Sequence, residues 1–324
     1  MRRVLSEIVL IPWAGVLIGL IVVAAAVSAI SPYFLTVGNI LGNVALYFSW
    51  FAIAGFGEAL VMIGGGLDLS VGSAMGFSGM IAALALAAGM PLWIGLAAGL
   101  AAGAFVGFVN GLVVTRLHLN PFIATLATLG VFRGITYGIV QGQAITPPSN
   151  GAGDAFTSLG SGALAGVPSP VIAMLVLALV CFVALNHTKF GRHVYALGGN
   201  EGATRLLGLD VRRLKMTLYV ISGLTAAVGG ILLTARAGTA LPDAAEGYEL
   251  QVIAGVIIGG VSLAGGQGTI PGVLIGAALL GVINNGIVLA GLAGYWQQLI
   301  TGLVIAAAAA LDVLRQRLSY LRAA

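Results

Sequence analysis

The side chains able to do chemistry are few. The chain has three histidines, His118, His187 and His193, one cysteine, Cys181, and only ten Asp plus Glu in 324 residues. The histidines are not spaced as metal ligands, and no H-E-x-x-H or G-x-S-x-G motif places a nucleophile beside a base. A lone cysteine excludes an intramolecular disulfide and a cysteine-based metal cluster. There is no Gly-Lys pair, so no P-loop of this chain can cradle nucleotide phosphates. The expectation is a protein that is not an enzyme and holds no metal or cofactor.

The ionisable groups that remain inside apolar stretches are Glu58, Arg133 and, in "GGGLDLS", Asp68 followed by Ser70. Charge in hydrocarbon is costly, so such groups face a cavity or a partner. Two uses are open for them. They can line or gate a polar pathway, together with Ser262 in the second glycine cluster "IGGVSLAGG". Alternatively Arg133 ties down carbonyls of a broken helix, and Asp68 caps a helix that starts near Ser70. Glu58 is also where an ion-coupled carrier would place a proton relay.

These groups sit in a chain that is 59% hydrophobic and 7% charged, with 50 glycines. A soluble domain spends about a quarter of its residues on charge; this chain must use lipid as solvent. Apolar segments near 8–30, 40–63, 71–88, 92–114, 119–140, 169–186, 216–237, 249–264, 270–291 and 295–312 predict an all-α, polytopic membrane protein of about ten helices in one domain over 1–324. With the N-terminus cytoplasmic, the alternating inside segments collect Arg2, Arg3, Arg116, Lys189, Arg192, Arg205, Arg212, Arg213, Lys215, Arg315, Arg317 and Arg322, twelve of the fourteen basic residues. Basic residues are retained on the cytoplasmic side, so both termini are expected there. No basic tail suggests nucleic acid.

Two further features concern packing and an exposed element. Glycines 99, 103, 107 and 111 recur once per turn on one helix face, a seam for close helix contact. The loop at about 187–215 concentrates six of the basic residues around "NEGATRLLG". There Asn200 is a good N-cap, Glu201 suits the helix N-terminus, Glu201 and Arg205 are four apart, and Gly208 is a C-terminal stop. Ala203, Leu206 and Leu207 form an apolar patch on a helix of about two turns, too short to be stable alone. It must dock, on the membrane surface or on a partner protein. The stretch 141–168, rich in Gly, Pro and Ser, is expected to be the longest outer loop.

Taken in order, "GGLDLSVGS" (65–73), "NPFIATLATLGVFRGITYGIVQGQAI" (120–145), "TKFGRHVYALGGNEGATRLLGLDVRRLK" (188–215), "YVISGLTAAVGGILLTARAG" (219–238), "YELQVIAGVIIGGVSLAGGQGTIPGVLIGAALLGVINNGI" (248–287) and "YWQQLITG" (295–302) resemble the membrane permease subunits of bacterial ABC sugar importers of the ribose, xylose, galactoside and autoinducer type. The resemblance implies a type II ABC importer-like bundle in the bacterial inner membrane, paired as a homo- or heterodimer. It also implies separate cytoplasmic ATPase subunits and a periplasmic or lipid-anchored sugar-binding protein. Asn200, Glu201, Ala203, Thr204, Arg205 and Gly208 then match the cytoplasmic helix that couples ATPase closure to the pathway. The sequence departs from the family where Gln251 and Val261 stand in place of an acidic residue and a threonine.

Overall fold

In a computed structural model, residues 13–149 and 151–293 are described, with 296, 299, 300, 302, 303 and 306 beyond them. Arg2, Arg3, the first residues of the 8–30 segment, most of 295–312 and the C-terminal arginines lie outside the described residues. The order is α1 Ala14–Ile30, α2 Val37–Ile63, α3 Val71–Ala87, α4 Leu92–Arg116, α5 Pro121–Val140, α6 Gly151–Ser161, a small hairpin of β1 Ala163–Leu164 and β2 Val167–Pro168, α7 Ser169–His187, α8 Lys189–Gly199, α9 Glu201–Leu206, α10 Val211–Ala237, α11 Tyr248–Ile258 and α12 Ile270–Leu289. Among the described residues six helices, α2, α4, α5, α7, α10 and α12, are long and apolar enough to cross a membrane, while α1, α3 and α11 are shorter apolar helices.

α10 is the spine, packing against α4, α2, α3 and α6. The glycine seam explains how closely α4 approaches it. A methyl group on Gly103 would overlap the Gly223 carbonyl, one on Gly107 the Tyr219 carbonyl, and one on Gly223 the Gly103 carbonyl. Gly111 meets Met216, and Gly99 meets Ser78 and Ile231. Two backbones in mutual contact leave no side chain that could rotate aside. This is how membrane helices gain packing where lipid supplies no hydrophobic drive.

Three differences from the sequence-based expectation follow from glycine and tertiary contact. The expected 249–264 span is an 11-residue helix that stops at Ile258, because Gly259 and the left-handed Gly260 end it. Such a helix rises about 16 Å and cannot cross a core of about 30 Å. The turn before it therefore runs inward: Gly72 and Gly76 of α3 lie against Glu249 and the Ala244 carbonyl. The outer loop contains α6, which buries Phe156 completely and sets Gly160 against the α10 backbone at Ala235 and Arg236. The loop end of the bundle contains α8, an extra amphipathic helix capped by the Thr188 side chain.

Candidate functional site

The depth of the first glycine break follows from what it touches on α10. Gly64 packs on Leu218, Ser222 donates to Asp68, the Met75 carbonyl lies against Gly230, and Gly79 lies against Thr234. The chain thus leaves α2 at the end of the bundle that carries the 188–210 loop, climbs from Gly64 to Ser70, and starts α3 near the middle of α10. Asp68 stands opposite Ser222, about two residues from the midpoint of Val211–Ala237.

That climb is non-helical backbone deep inside a membrane protein, tolerable only when protein satisfies its polar groups. Asp68 Oδ1 accepts from Ser70 N at 3.0 Å, Ser70 Oγ at 2.6 Å and Asn110 Nδ2 at 3.1 Å, while Oδ2 accepts from Ser222 Oγ at 2.9 Å. Glu58 Oε1 accepts from the Asp68 amide at 3.1 Å. The Leu69 amide donates to Thr125 Oγ1, and Tyr219 donates its hydroxyl to the Leu67 carbonyl. Thr128 donates to Asn110 Oδ1, locking the amide so that its Nδ2 faces Asp68 and Ser70. Glu58, Asp68, Ser70, Asn110 and Ser222 are all buried.

Of the expected pathway or gate residues, Glu58, Asp68 and Ser70 therefore come together, inside one protomer. They line a passage only if the break opens; a gate role needs only that the network hold it shut. Asp68 does cap the turn into α3 through the Ser70 amide. Arg133 lies elsewhere: its Nη1 donates to the Pro242 carbonyl at 3.1 Å and the Ala244 carbonyl at 2.7 Å, pinning the inward turn before α11. Ser262 shapes the second break, its amide donating to Gln267 and its hydroxyl accepting from Ala264. Asn110, Thr128, Tyr219 and Ser222 were missed. The available signal was a polar side chain alone in an apolar helix, which has to point at protein rather than lipid.

The two breaks meet at the loop end. Gly266 N donates to the Ile63 carbonyl at 2.8 Å, and Gly265 touches Gly65. Gly198 of α8 is wedged between the Ile63 carbonyl and the Gly266 amide, and Tyr195 of α8 donates its hydroxyl to the Gly268 carbonyl at 2.8 Å. Glycine is required here: Gly65, Gly265 and Gly266 all have φ between 72° and 84°, and a side chain on Gly198 has no room. The loop is thus joined through α8 to both breaks.

α9 hangs from this junction. Asn200 Oδ1 caps the Ala203 amide at 2.9 Å, Glu201 pairs with Arg205 at 3.0 Å, and Gly208 takes a left-handed φ of 79°. Thr204 is buried and turns its hydroxyl back to the Asn200 carbonyl. Ala203, Leu206 and Leu207 face outward, with Leu206 91% and Leu207 77% exposed. Lys215 of α10 holds the helix in place, its ammonium 2.6 Å from Glu201 Oε2. The hydrogen bond from Lys215 pulls the Glu201 carboxyl below its usual range, with help from the charges of Lys215 and Arg205. A lowered pKa means the pairing is complete above the ordinary carboxylate value of about 4.3 and is lost as pH falls through the lowered one. Lys215→Gln should therefore speed amide exchange at residues 202–207 at pH 7, while the unsubstituted protein shows that loosening only in acid. Equal exchange in both at pH 7 would show that the pair does not anchor α9.

Residues 40–309 match the family described as branched-chain amino acid transport system / permease component. The chain belongs to this family. The chain is 41% identical over 300 residues to the ribose import permease protein RbsC of Escherichia coli (strain K12), covering 93% of each chain. It is 40% identical over 298 residues to the Bacillus subtilis (strain 168) protein of the same name, covering 92% of each. The L-arabinose transport system permease protein AraH of Escherichia coli (strain K12) is 36% identical over 303 residues, 94% of this chain and 91% of that one. Permease membership fits what the described residues offer: a helical, multi-pass membrane protein with its polar groups spent on holding broken helices.

Proposed function

We propose that this chain is the membrane-spanning subunit of an ATP-driven importer that carries a monosaccharide or similar small polyol across the bacterial inner membrane. The observation that carries the reading is α9: a capped, anchored helix presenting two exposed leucines at the tip of a loop, in a chain with no P-loop. Exposed leucines on a short anchored helix call for a covering surface, and in a permease without a P-loop an ATPase partner is the cover we infer. An ATPase subunit there would push on α9, through α8 at Gly198 and Tyr195, and so on both glycine breaks. Asn200, Glu201, Ala203, Thr204, Arg205 and Gly208 are the coupling residues. Glu58, Asp68, Ser70 and Ser262 form the gate, with Arg133 fixing the inward turn before α11.

The substrate class rests on the ribose and arabinose permeases to which the chain is similar over nearly all its length. Two copies, identical or paired with a second permease, enclose the passage, and a periplasmic or lipid-anchored binding protein delivers sugar to the outer mouth. About ten crossings with both termini cytoplasmic suit this arrangement: the six long helices, α1, α3 and α11 each completed by the non-helical stretch beside it, and the 295–312 segment. Purification from the native membrane tests the reading. An ATPase subunit should accompany the permease, and vesicles should take up sugar only with ATP and the binding protein. Uptake driven by an ion gradient, with no ATPase present, would instead establish the carrier that uses Glu58.

A further inference from the structure

The half of the bundle away from the loop carries a second polar group, unrelated to the break. Near its start α2 contains a π-helical segment, Ile40–Ala45, and Tyr47 follows two residues later. Its hydroxyl accepts from Asn284 Nδ2 of α12 at 2.5 Å and donates to Gln251 Oε1 of α11 at 3.2 Å. Alongside, Asn39 and Asn285 exchange two side-chain hydrogen bonds of 2.9 and 3.0 Å, and Asn43 donates to Asn39. The Tyr47 ring lies 5.1 Å from that of Phe51, tilted by 52°, and Phe51 lies 4.6 Å from Tyr248. Trp50, buried beside Tyr47, has an indole N–H with no partner.

These groups lie within the membrane-spanning region, nearer its outer side than its loop side. Tyr47 is about 24 Å along α2 from Ile63, and Asn284 about 21 Å along α12 from Ile270, at 1.5 Å per residue. Tyr47, Gln251 and Asn284 are only half-buried there, while Asn43, about 30 Å along α2 from Ile63, is exposed at the outer edge of the core. Amides left facing hydrocarbon cost several kcal/mol. This face must look onto something polar. A π-helical turn often marks a functional position in a membrane or soluble helix.

We propose that Tyr47, Gln251 and Asn284, with Phe51 and Tyr248 beside them, contact the passing substrate in the outer half of the pathway, where the two permease copies face each other. The proposal rests on the transporter reading above. The chemistry selects the ligand. Amide and phenol groups both donate and accept neutral hydrogen bonds, as the hydroxyls of a sugar require, and aromatic faces take its C–H surface. A free amino acid would bring two charges for which these three side chains offer no ionised partner. The tyrosine–amide hydrogen bonds would be exchanged for bonds to sugar hydroxyls as the substrate passes, a near-even trade that binds weakly and releases readily.

The test uses the complete transporter, with its ATPase and binding protein, in vesicles supplied with radiolabelled pentoses and hexoses headed by D-ribose. Tyr47→Phe removes one hydroxyl, and Asn284→Leu removes the amide while keeping the volume close. Each should leave assembly and binding-protein-stimulated ATP hydrolysis within about twofold, and lower sugar taken up per ATP roughly threefold to tenfold, the effect of one lost hydrogen bond. Uptake per ATP unchanged in both variants overturns the proposal, as does a matched fall in complex yield, hydrolysis and uptake, which marks a structural contact. If the unsubstituted transporter moves no sugar, the transporter reading fails and this proposal with it.

Discussion

Replacing Gly103 with valine should abolish accumulation of the folded permease. The two methyls would have to occupy the space of the Gly223 carbonyl, while Ala227 and Ser78 close the other sides. Overpacking usually costs about 1–3 kcal/mol because neighbouring side chains can shift. Here the obstacle is backbone of α10, itself fixed against α2 and α3, so α4 and α10 must separate along the seam that Gly107 and Gly111 continue. Gly223→Val should fail in the same way, since its methyls meet the Gly103 carbonyl. Gly130→Val on α5, where nothing lies within 4 Å, is the matched control and should accumulate normally. Yield and detergent melting temperature of the three variants decide the matter. Normal yield of Gly103→Val would mean that α4 and α10 are farther apart than described.

Asp68→Ala should be nearly as damaging, for an electrostatic rather than a steric reason. The carboxylate satisfies four donors at once, the Ser70 amide and hydroxyl, the Asn110 amide group and the Ser222 hydroxyl, and all are buried. A buried donor without an acceptor costs about 1–3 kcal/mol. Even at the lower figure of about 0.6 kcal/mol for hydrogen bonds between membrane helices, four make more than about 2 kcal/mol. Asp68→Asn separates the contributions. It retains one acceptor oxygen for Ser70 and Asn110, and the Ser222 hydroxyl can turn to accept from the new amide. It should therefore fold, with the 64–70 break held less firmly: protease access at Gly65 and Gly66 should rise while yield stays near normal. A folded, fully active Asp68→Ala protein would remove the network from the account.

How legible these features were depends on the range over which each is determined. The capping of α9 by Asn200, its Glu201–Arg205 pair and its stop at Gly208 are set within nine residues, and the structure has each of them. The 99–111 seam is a property of one helix face, and it packs as that face requires. That Arg133 ties down carbonyls of a broken helix was one of its two open uses; the carbonyls it holds, Pro242 and Ala244, belong instead to the turn before α11, more than a hundred residues away. Each of the two glycine clusters was visible in its own segment; their direct contact through Gly266 and Ile63 was not. α8 was hidden because Gly191, Gly198 and Gly199 weaken a helix locally, and only burial of Val194 and Leu197 against the bundle repays that loss. The amide group around Tyr47 joins residues from three helices, and no local pattern in any one of them points to the others. Gln251, noted at first only as a departure from family pattern, turns out to bond with Tyr47.

The central claim is that force enters this permease from a separate ATPase through the exposed face of α9. Leu206→Glu with Leu207→Glu tests it most directly. Both side chains point away from the protomer, so the double variant should fold and insert like the unsubstituted chain. The account predicts that the ATPase subunit no longer co-purifies with it and that ATP-dependent sugar uptake is lost, with permease yield unchanged. An ATPase that stays bound, with ordinary uptake, would contradict it.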